Sequence, residues 1–264
     1  MLPDEVVTLY RRAKRVAAFT GAGISEESGI PTFRGDSGLW VKYPPEKFAS
    51  VTGLLRMFIT QPDRVVDFAI DFYRMPLMAE PNPAHYALAE MERTGKLIAV
   101  ITQNVDNLHQ RAGSKNVLEL HGNMYRLRCM RCGKHRYMAN DEIEGMLNRL
   151  QQAKGSRIRI LRVVAGIFKR CECGGRYRVD MVFFGEPLPQ DVLFEAERIV
   201  QEVDLLFVIG TSGVVYPAAS LPYIAKDAGT KIIEINPVAS AVTQIADHFL
   251  QGKAGEILPK FLHV

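Results

Sequence analysis

The chain has 264 residues, of which 47% are hydrophobic and 23% charged, with a formal net charge of +4. It is long enough for one large domain or two unequal ones, too apolar for global disorder, and too weakly basic to argue for nucleic acid on charge alone. No apolar run reaches the ~20 residues that span a bilayer, and Met1-Leu2-Pro3-Asp4-Glu5 lacks the apolar stretch of a secretory signal, so a cytoplasmic protein without a membrane partner is expected.

Residues 3–14 read as a helix. Pro3 suits its first position, Asp4 and Glu5 its first turn, and Arg11, Arg12 and Lys14 its last. Residues 15–19 read as a strand, and Thr20-Gly21-Ala22-Gly23-Ile24-Ser25 follows at once. Gly21 and Gly23 let the backbone turn tightly and approach a ligand closely. A strand, a Gly-x-Gly turn and a helix start can hold a dinucleotide pyrophosphate on backbone N–H groups, or can simply be a tight turn. A dehydrogenase fingerprint wants a third Gly where Glu26 stands, and a strand ending in an acid about twenty residues on; Val41-Lys42-Tyr43-Pro44-Pro45-Glu46 is not that strand. Hydride transfer is therefore disfavoured. Pro31-Thr32-Phe33-Arg34-Gly35 extends the loop with an aromatic and a cation that could fold over a nucleotide.

Residues 36–81 show apolar side chains at helical spacing: Leu54, Leu55 and Phe58, then Val65, Val66, Phe68, Ala69 and Phe72. A helix starting at Pro83 and stopping at Gly95 leads into the strand Leu97-Ile98-Ala99-Val100-Ile101-Thr102. Gln103-Asn104-Val105-Asp106 comes next. In an open parallel sheet this is the ligand edge, although such residues could also cap the next helix. Val117-Leu118-Glu119-Leu120 is a strand ending at His121, placed at the same edge and a candidate for proton transfer.

Cys129-Met130-Arg131-Cys132 and Cys171-Glu172-Cys173 hold all four cysteines. Two close pairs favour a structural tetrahedral zinc, although the second pair is tight. Between them, residues 140–154 read as an exposed helix. From Lys154 to Arg170 there are six basic residues and no acid, and Arg157-Ile158-Arg159-Ile160 alternates like a strand with one solvated face. A contact for an acidic partner is the other reading of that segment. The chain then returns to strands at 180–184, 205–209 and 231–235, separated by helices at about 190–202 and 216–228, and ends in a short helix after Gly252. Strands alternating with helices predict an α/β, doubly wound parallel sheet.

These motifs together resemble those of the sirtuins, the NAD-dependent protein lysine deacylases. The resemblance rests on Gly21-Ala22-Gly23-Ile24-Ser25, Gly29 to Gly35, Thr102-Gln103-Asn104-Val105-Asp106, Leu120-His121-Gly122, the four cysteines, Phe184-Gly185-Glu186, Gly210-Thr211-Ser212, Val215 to Ala219 and Asn236. They stand in family order over nearly the whole chain. The resemblance implies a Rossmann NAD-binding domain from residues 1–36, 82–122 and 183–264, and a smaller domain formed by two insertions, a helical module at 37–81 and a zinc-binding module at 123–182. NAD and an acetyl-lysine peptide are expected to meet in the cleft between the domains.

Carried over residue by residue, Gly21, Ala22, Gly23 and Ser25 line the pyrophosphate, and Phe33 and Arg34 lie over the nicotinamide ribose with Thr32 and Trp40 in the same cofactor set. Gln103 contacts ribose, and Asn104, Asp106 and Ile30 frame the nicotinamide pocket. Gly210, Thr211, Ser212 and Asn236 hold the adenosine half, with Ala254 beside the adenine. Val182, Phe184, Gly185 and Glu186 on one side and Val214, Val215 and Tyr216 on the other would pair with the peptide backbone as added strands. Cys129, Cys132, Cys171 and Cys173 bind one structural zinc. His121 and Asn104 are the catalytic residues. His121 acts as general base on the ribose hydroxyls after the acyl oxygen has attacked the sugar carbon. The products are nicotinamide, free lysine and O-acetyl-ADP-ribose. Mono-ADP-ribosyl transfer and removal of longer apolar acyl groups are the alternatives.

Sirtuins that prefer succinyl or malonyl lysine carry a Tyr and, three residues on, an Arg in the helical insertion. Aligned without gaps from Pro81, those positions are Ala69 and Phe72, neither of which pairs with a carboxylate. Acetyl-lysine is therefore the expected substrate.

Overall fold

The computed structural model describes residues 1–32 and 38–264. Its strands are β1 (Val16–Thr20), β2 (Leu97–Thr102), β3 (Val117–Glu119), β4 (Gly122–Cys129), β5 (His135–Tyr137), β6 (Tyr177–Met181), β7 (Leu205–Ile209), β8 (Lys231–Asn236) and β9 (His248–Gln251). The chain divides into two compact units. The first comprises Met1–Thr32, Glu80–His121 and Pro187–Val264; the second comprises Phe33–Ala79 and Gly122–Glu186.

In the first unit six parallel strands run in the order β3-β2-β1-β7-β8-β9. β1 and β7 are buried at every residue, as expected of central strands covered on both faces. Their side chains Val16, Ala18, Phe207 and Ile209 join Leu88 and Met91 of the Pro83–Arg93 helix and Phe261 near the carboxyl end in one core. Each such aliphatic or aromatic side chain contributes about 2 kcal/mol through removal from water. The chain walks outward from β1 to β3, then returns to β7 and walks the other way. Strand order thus reverses between β1 and β7, and the carboxyl ends of these two strands mark the ligand position in such a sheet. The glycine turn after β1 continues as a 3₁₀ helix, Ala22–Ser28, rather than an α-helix.

The second unit holds a three-stranded antiparallel sheet, β5-β4-β6, with helices including Val51–Thr60, Pro62–Met78, Asn140–Ala153 and Arg157–Ile167. Tyr43 and Phe48 are its largest fully buried side chains and lie edge to face at 5.1 Å. No helix among the described residues is long and apolar enough to cross a membrane.

Several elements differ from the sequence reading. The Arg–Ile alternation predicted a strand, but Arg157–Ile167 is a helix capped by Ser156, whose hydroxyl accepts from Arg159 N. In a strand Ile158 and Ile160 would share one face, whereas Ile160 is 2% exposed and Ile158 64% exposed. The 3.6-residue period of Ile160, Val163, Val164 and Ile167 prevails over a short alternation. The strand expected at 180–184 is β6, which ends at Met181 and pairs with β4 in the antiparallel sheet. Val182, Phe183 and Phe184 leave the ladder because Glu186 closes a turn: its N–H donates to Phe183 O, and its carboxylate accepts from Phe183 N at 3.0 Å. Asn140–Ala153 is not an exposed helix but an amphipathic one, burying Ile143, Met146, Leu147 and Leu150. The helix expected over 216–228 is a short 3₁₀ turn, Ala218–Ser220, followed by the helix Leu221–Asp227. β4, β5 and β9 were not legible: β5 is a short hairpin partner of β4, β4 also pairs with the distant β6, and β9 is an edge strand on β8.

His85 and His109 form a buried pair with ring centroids 4.9 Å apart. His109 Nε2 lies 3.0 Å from Thr20 Oγ1, while His85 Nε2 and His109 Nδ1 have no partner among the described residues. Burial lowers both pKa values, that of His85 to about 4. Above pH ~6.5 the folded and unfolded imidazoles are both neutral, and this stability is fully present. As pH falls from 6.5 towards 4, the unfolded chain takes up a proton that folded His85 refuses, so stability is lost. The loss from His85 alone is about 3 kcal/mol. Urea titrations of wild type and His85→Gln between pH 4 and 8 should show the wild-type advantage shrinking below pH 6.5. A constant difference would refute it.

Candidate active site

The turns after β1 and β7 interlock. Gly21 N donates to Ile209 O at 2.9 Å and Gly23 N to Gly210 O at 2.8 Å. A Cβ on Gly23 would come within 2.8 Å of Gly210 Cα, and one on Gly210 within 2.4 Å of Ile24 N. Gly210 also has φ +59, in the left-handed region that side chains resist. These positions therefore need glycine for contact between the two loops, with or without a ligand.

Side-chain hydrogen bonds then tie together four of the loops that follow the parallel strands. Gln103 Nε2 donates to Thr211 Oγ1 at 3.0 Å, and Asn236 Nδ2 donates to Thr211 O at 2.8 Å. Asn104 Nδ2 donates to Gly21 O and Ser25 Oγ, each at 3.1 Å. Ser25 Oγ donates to Asp106 Oδ2 at 2.7 Å, and Leu108 N donates to Asp106 Oδ1 at 3.0 Å. Burial pushes the Asp106 carboxyl pKa up, opposed by those two donors. Asn104, Ser25 and Asp106 are thus one buried polar chain at the end of the sheet.

His121 Nδ1 lies 2.8 Å from Gln103 O. A carbonyl only accepts, so Nδ1 carries the proton, and the neutral ring keeps its lone pair on Nε2. Burial lowers the pKa of this imidazole, and the Gln103 bond partly restores it. The geometry yields a neutral base of fixed tautomer at physiological pH.

The other expected cofactor residues fall as follows. Ala22, Ile30 and Thr32 are half-buried beside the 3₁₀ turn, Ser212 is exposed after Thr211, and Ala254 is buried at the start of the helix Ala254–Ile257. Phe33 and Arg34 lie outside the described residues. Trp40 belongs to the second unit, with its ring 6.2 Å from that of Phe184. Of the expected peptide contacts, Val214 and Tyr216 are exposed and Val215 half-buried in the first unit. In the second unit Phe184 is exposed, Gly185 has φ +87, and the Glu186 carboxylate is held by Arg178 at 2.6 and 2.8 Å.

Sequence reasoning missed three supporting contacts. Asn82 Nδ2 donates to Ile24 O at 2.7 Å, while its Oδ1 caps the Pro83–Arg93 helix. Thr20 and Thr102 are register partners whose hydroxyls bond at 2.9 Å. Glu27 accepts from Gly255 N at 2.7 Å. The Asn before Pro83 was a readable capping signal; the other two depend on strand register and loop approach.

In the second unit the four cysteine sulfurs lie within 4.8 Å of one another, with Cys129–Cys173 at 3.5 Å and Cys132–Cys171 at 3.7 Å. Sulfurs about 2.3 Å from a tetrahedral zinc stand about 3.8 Å apart, so the donor set fits. Arg131 N and Gly175 N point at Cys129 Sγ and Cys173 Sγ. A Cβ on Gly175 would lie 2.7 Å from Cys129 Sγ, so this glycine lets the knuckle close. Four thiolates leave no open coordination position, so such a zinc is structural.

A model of the Sir2 family matches residues 21–217. The chain belongs to the Sir2 family. An "NAD-dependent protein deacylase" of Pyrococcus abyssi is 45% identical over 260 residues, covering 98% of this sirtuin and 96% of the relative. "NAD-dependent protein deacylase 2" of Archaeoglobus fulgidus is 48% identical over 266 residues, covering 99% and 96%. Among solved structures, a Sir2 homologue–NAD complex superposes with a TM-score of 0.80 at 40% identity, covering 100% of this chain and 93% of that one. A Sir2–p53 peptide–NAD⁺ complex gives 0.76 at 35% identity, covering 100% and 98%.

Proposed function

We infer that this sirtuin is an NAD-dependent protein-lysine deacetylase that releases nicotinamide and forms O-acetyl-ADP-ribose. The observation that carries the reading is the buried Asn104–Ser25–Asp106 chain beside a His121 whose Nδ1 proton is fixed by Gln103 O. The interlocked glycine turns at Gly21, Gly23 and Gly210 lie at the point where strand order reverses, the ligand position of such a sheet. When bound, NAD supplies an electrophilic sugar carbon and a leaving nicotinamide. Asn104 and Asp106 orient that end and exclude water from it. His121 Nε2 accepts a proton from a ribose hydroxyl, which frees that oxygen for acyl transfer. The zinc holds the second unit together and takes no part in the reaction. A cytoplasmic setting is supported by thiols grouped for a metal rather than paired as disulfides.

Incubation with an acetylated peptide and NAD, followed by mass spectrometry, should show O-acetyl-ADP-ribose and free lysine. ADP-ribosylated protein without that product would indicate the transferase reaction instead.

The acyl group follows from the Pro62–Met78 helix. Phe72 packs 5.7 Å from the Phe68 ring, Tyr73 is buried, and Asp71 is engaged by Lys42 and Tyr43 at 2.5 Å. Neither Ala69 nor Phe72 can pair with a carboxylate, and an unpaired, desolvated acyl carboxylate costs several kcal/mol. Matched peptides at subsaturating concentration should show kcat/KM about a thousandfold higher for acetyl- than for succinyl-lysine. Equal turnover would overturn this assignment of the acyl pocket.

A further inference from the structure

Two helices of the second unit each expose an apolar stripe. On Val51–Thr60 the stripe is Val51, Leu55 and Ile59, spaced i, i+4, i+8 and 40%, 59% and 64% exposed. On Arg157–Ile167 it is Ile158 and Leu161, 64% and 51% exposed. Each helix already buries its opposite side, with Met57 inward on the first and Ile160 inward on the second. The stripes are therefore not displaced core faces. The helices are joined end to end, because Arg157 Nη2 donates to Ile59 O at 2.7 Å. Five bulky aliphatic side chains are thus exposed on two helices that meet at this bond.

The charge carried by the two helices themselves is one-sided. Arg56, Arg157, Arg159 and Arg162 are exposed on the same two helices, and no acid occurs between Lys154 and Arg170. Of the carboxylates on neighbouring elements, Asp63 accepts from Gly155 N at 2.9 Å and Asp67 pairs with Lys154 at 2.7 Å, while Glu46 is exposed on the Pro45–Phe48 helix beside Lys47. An apolar stripe bordered by arginines fits one kind of partner best. A symmetric second copy would set arginine against arginine. Nucleic acid would leave the aliphatic stripes facing phosphate, with no aromatic platform for bases. A bilayer favours a longer continuous apolar face than the two bulky residues of the second helix provide.

We propose that the Val51–Thr60 and Arg157–Ile167 helices form a docking surface for a protein segment that folds as an acidic amphipathic helix. Its apolar face would cover Leu55, Ile59, Ile158 and Leu161, and its flanking carboxylates would meet the arginines. The surface is independent of the deacetylase reading, since none of these residues belongs to the candidate active site.

The test uses the full chain and two synthetic four-turn peptides with leucines at i, i+4 and i+7, one flanked by glutamates and the other by lysines. Fluorescence anisotropy should show saturable micromolar binding of the glutamate peptide, weakened by salt, and no saturation by the lysine peptide. Ile158→Gln/Leu161→Gln and Arg159→Gln/Arg162→Gln should each weaken binding about tenfold or more, while turnover of a short acetylated peptide and the melting temperature stay unchanged. Arg159→Glu/Arg162→Glu should reverse the preference; Arg159 gives up a bond from Nη2 to Lys154 O at 3.2 Å, so the melting temperature is checked alongside. Equal binding of both peptides, or binding indifferent to these variants, would overturn the proposal. So would preferential binding of phosphatidylglycerol vesicles or duplex DNA, or self-association through this face in sedimentation.

Discussion

His121→Ala is expected to lower deacetylase kcat/KM by about a thousandfold while NAD affinity changes little. The imidazole is oriented by the hydrogen bond from Nδ1 to Gln103 O at 2.8 Å, which leaves the Nε2 lone pair to accept a proton. Removing the ring removes the base but leaves the interlocked glycine loops and the Asn104–Ser25–Asp106 chain intact. Binding by calorimetry and turnover by mass spectrometry should therefore separate. The pH profile gives a second reading. Because burial lowers the His121 pKa, the enzyme should lose activity on the acid side below the ~6.5 of a free imidazole. Near wild-type turnover in the variant, or an acid limb centred well above 6.5, would remove His121 from the general-base role.

Cys129→Ser should abolish metal binding and unfold the second unit. Freshly purified wild-type protein is expected to contain one zinc per chain by elemental analysis, and the variant none. In small zinc-bound peptides the metal supplies about 10–16 kcal/mol of folding free energy. The second unit has a modest aromatic core around Tyr43 and Phe48; Cys129 ends β4, and Cys171 and Cys173 lie in the segment that leads into β6. The pairing of these strands is expected to fail with the metal. The first unit keeps its own core, so its melting transition should persist while turnover disappears. Wild-type protein that folds and turns over normally with no zinc present would contradict this account.

The parallel sheet was readable because its strands are continuous apolar runs, each closed by a chemically distinctive loop. Leu205-Leu206-Phe207-Val208-Ile209 before Gly210, and Leu97 to Thr102 before Gln103, need no partner to be recognised. The cysteine pairs were readable because ligand spacing is a local property. The basic segment was not, since four alternating residues fit a strand as well as the first turn of a helix. The burial of Ile160 beside exposed Ile158, in a helix that packs on Asn140–Ala153, separates the two.

What the sequence determined by itself was which residue types stand at the strand ends, and hence the kind of chemistry available. Glycine, amide, carboxylate and imidazole are fixed there by short-range grammar. The tertiary structure alone decided how they are joined. That Gly23 must lack a Cβ because Gly210 lies 2.8 Å away, and that Gln103 O selects the His121 tautomer, are contacts between loops far apart in the chain. So is the burial of Asp106, which raises its pKa. Such contacts follow from the order β3-β2-β1-β7-β8-β9, and strand order is set by packing free energy summed over the whole sheet, which no local pattern records.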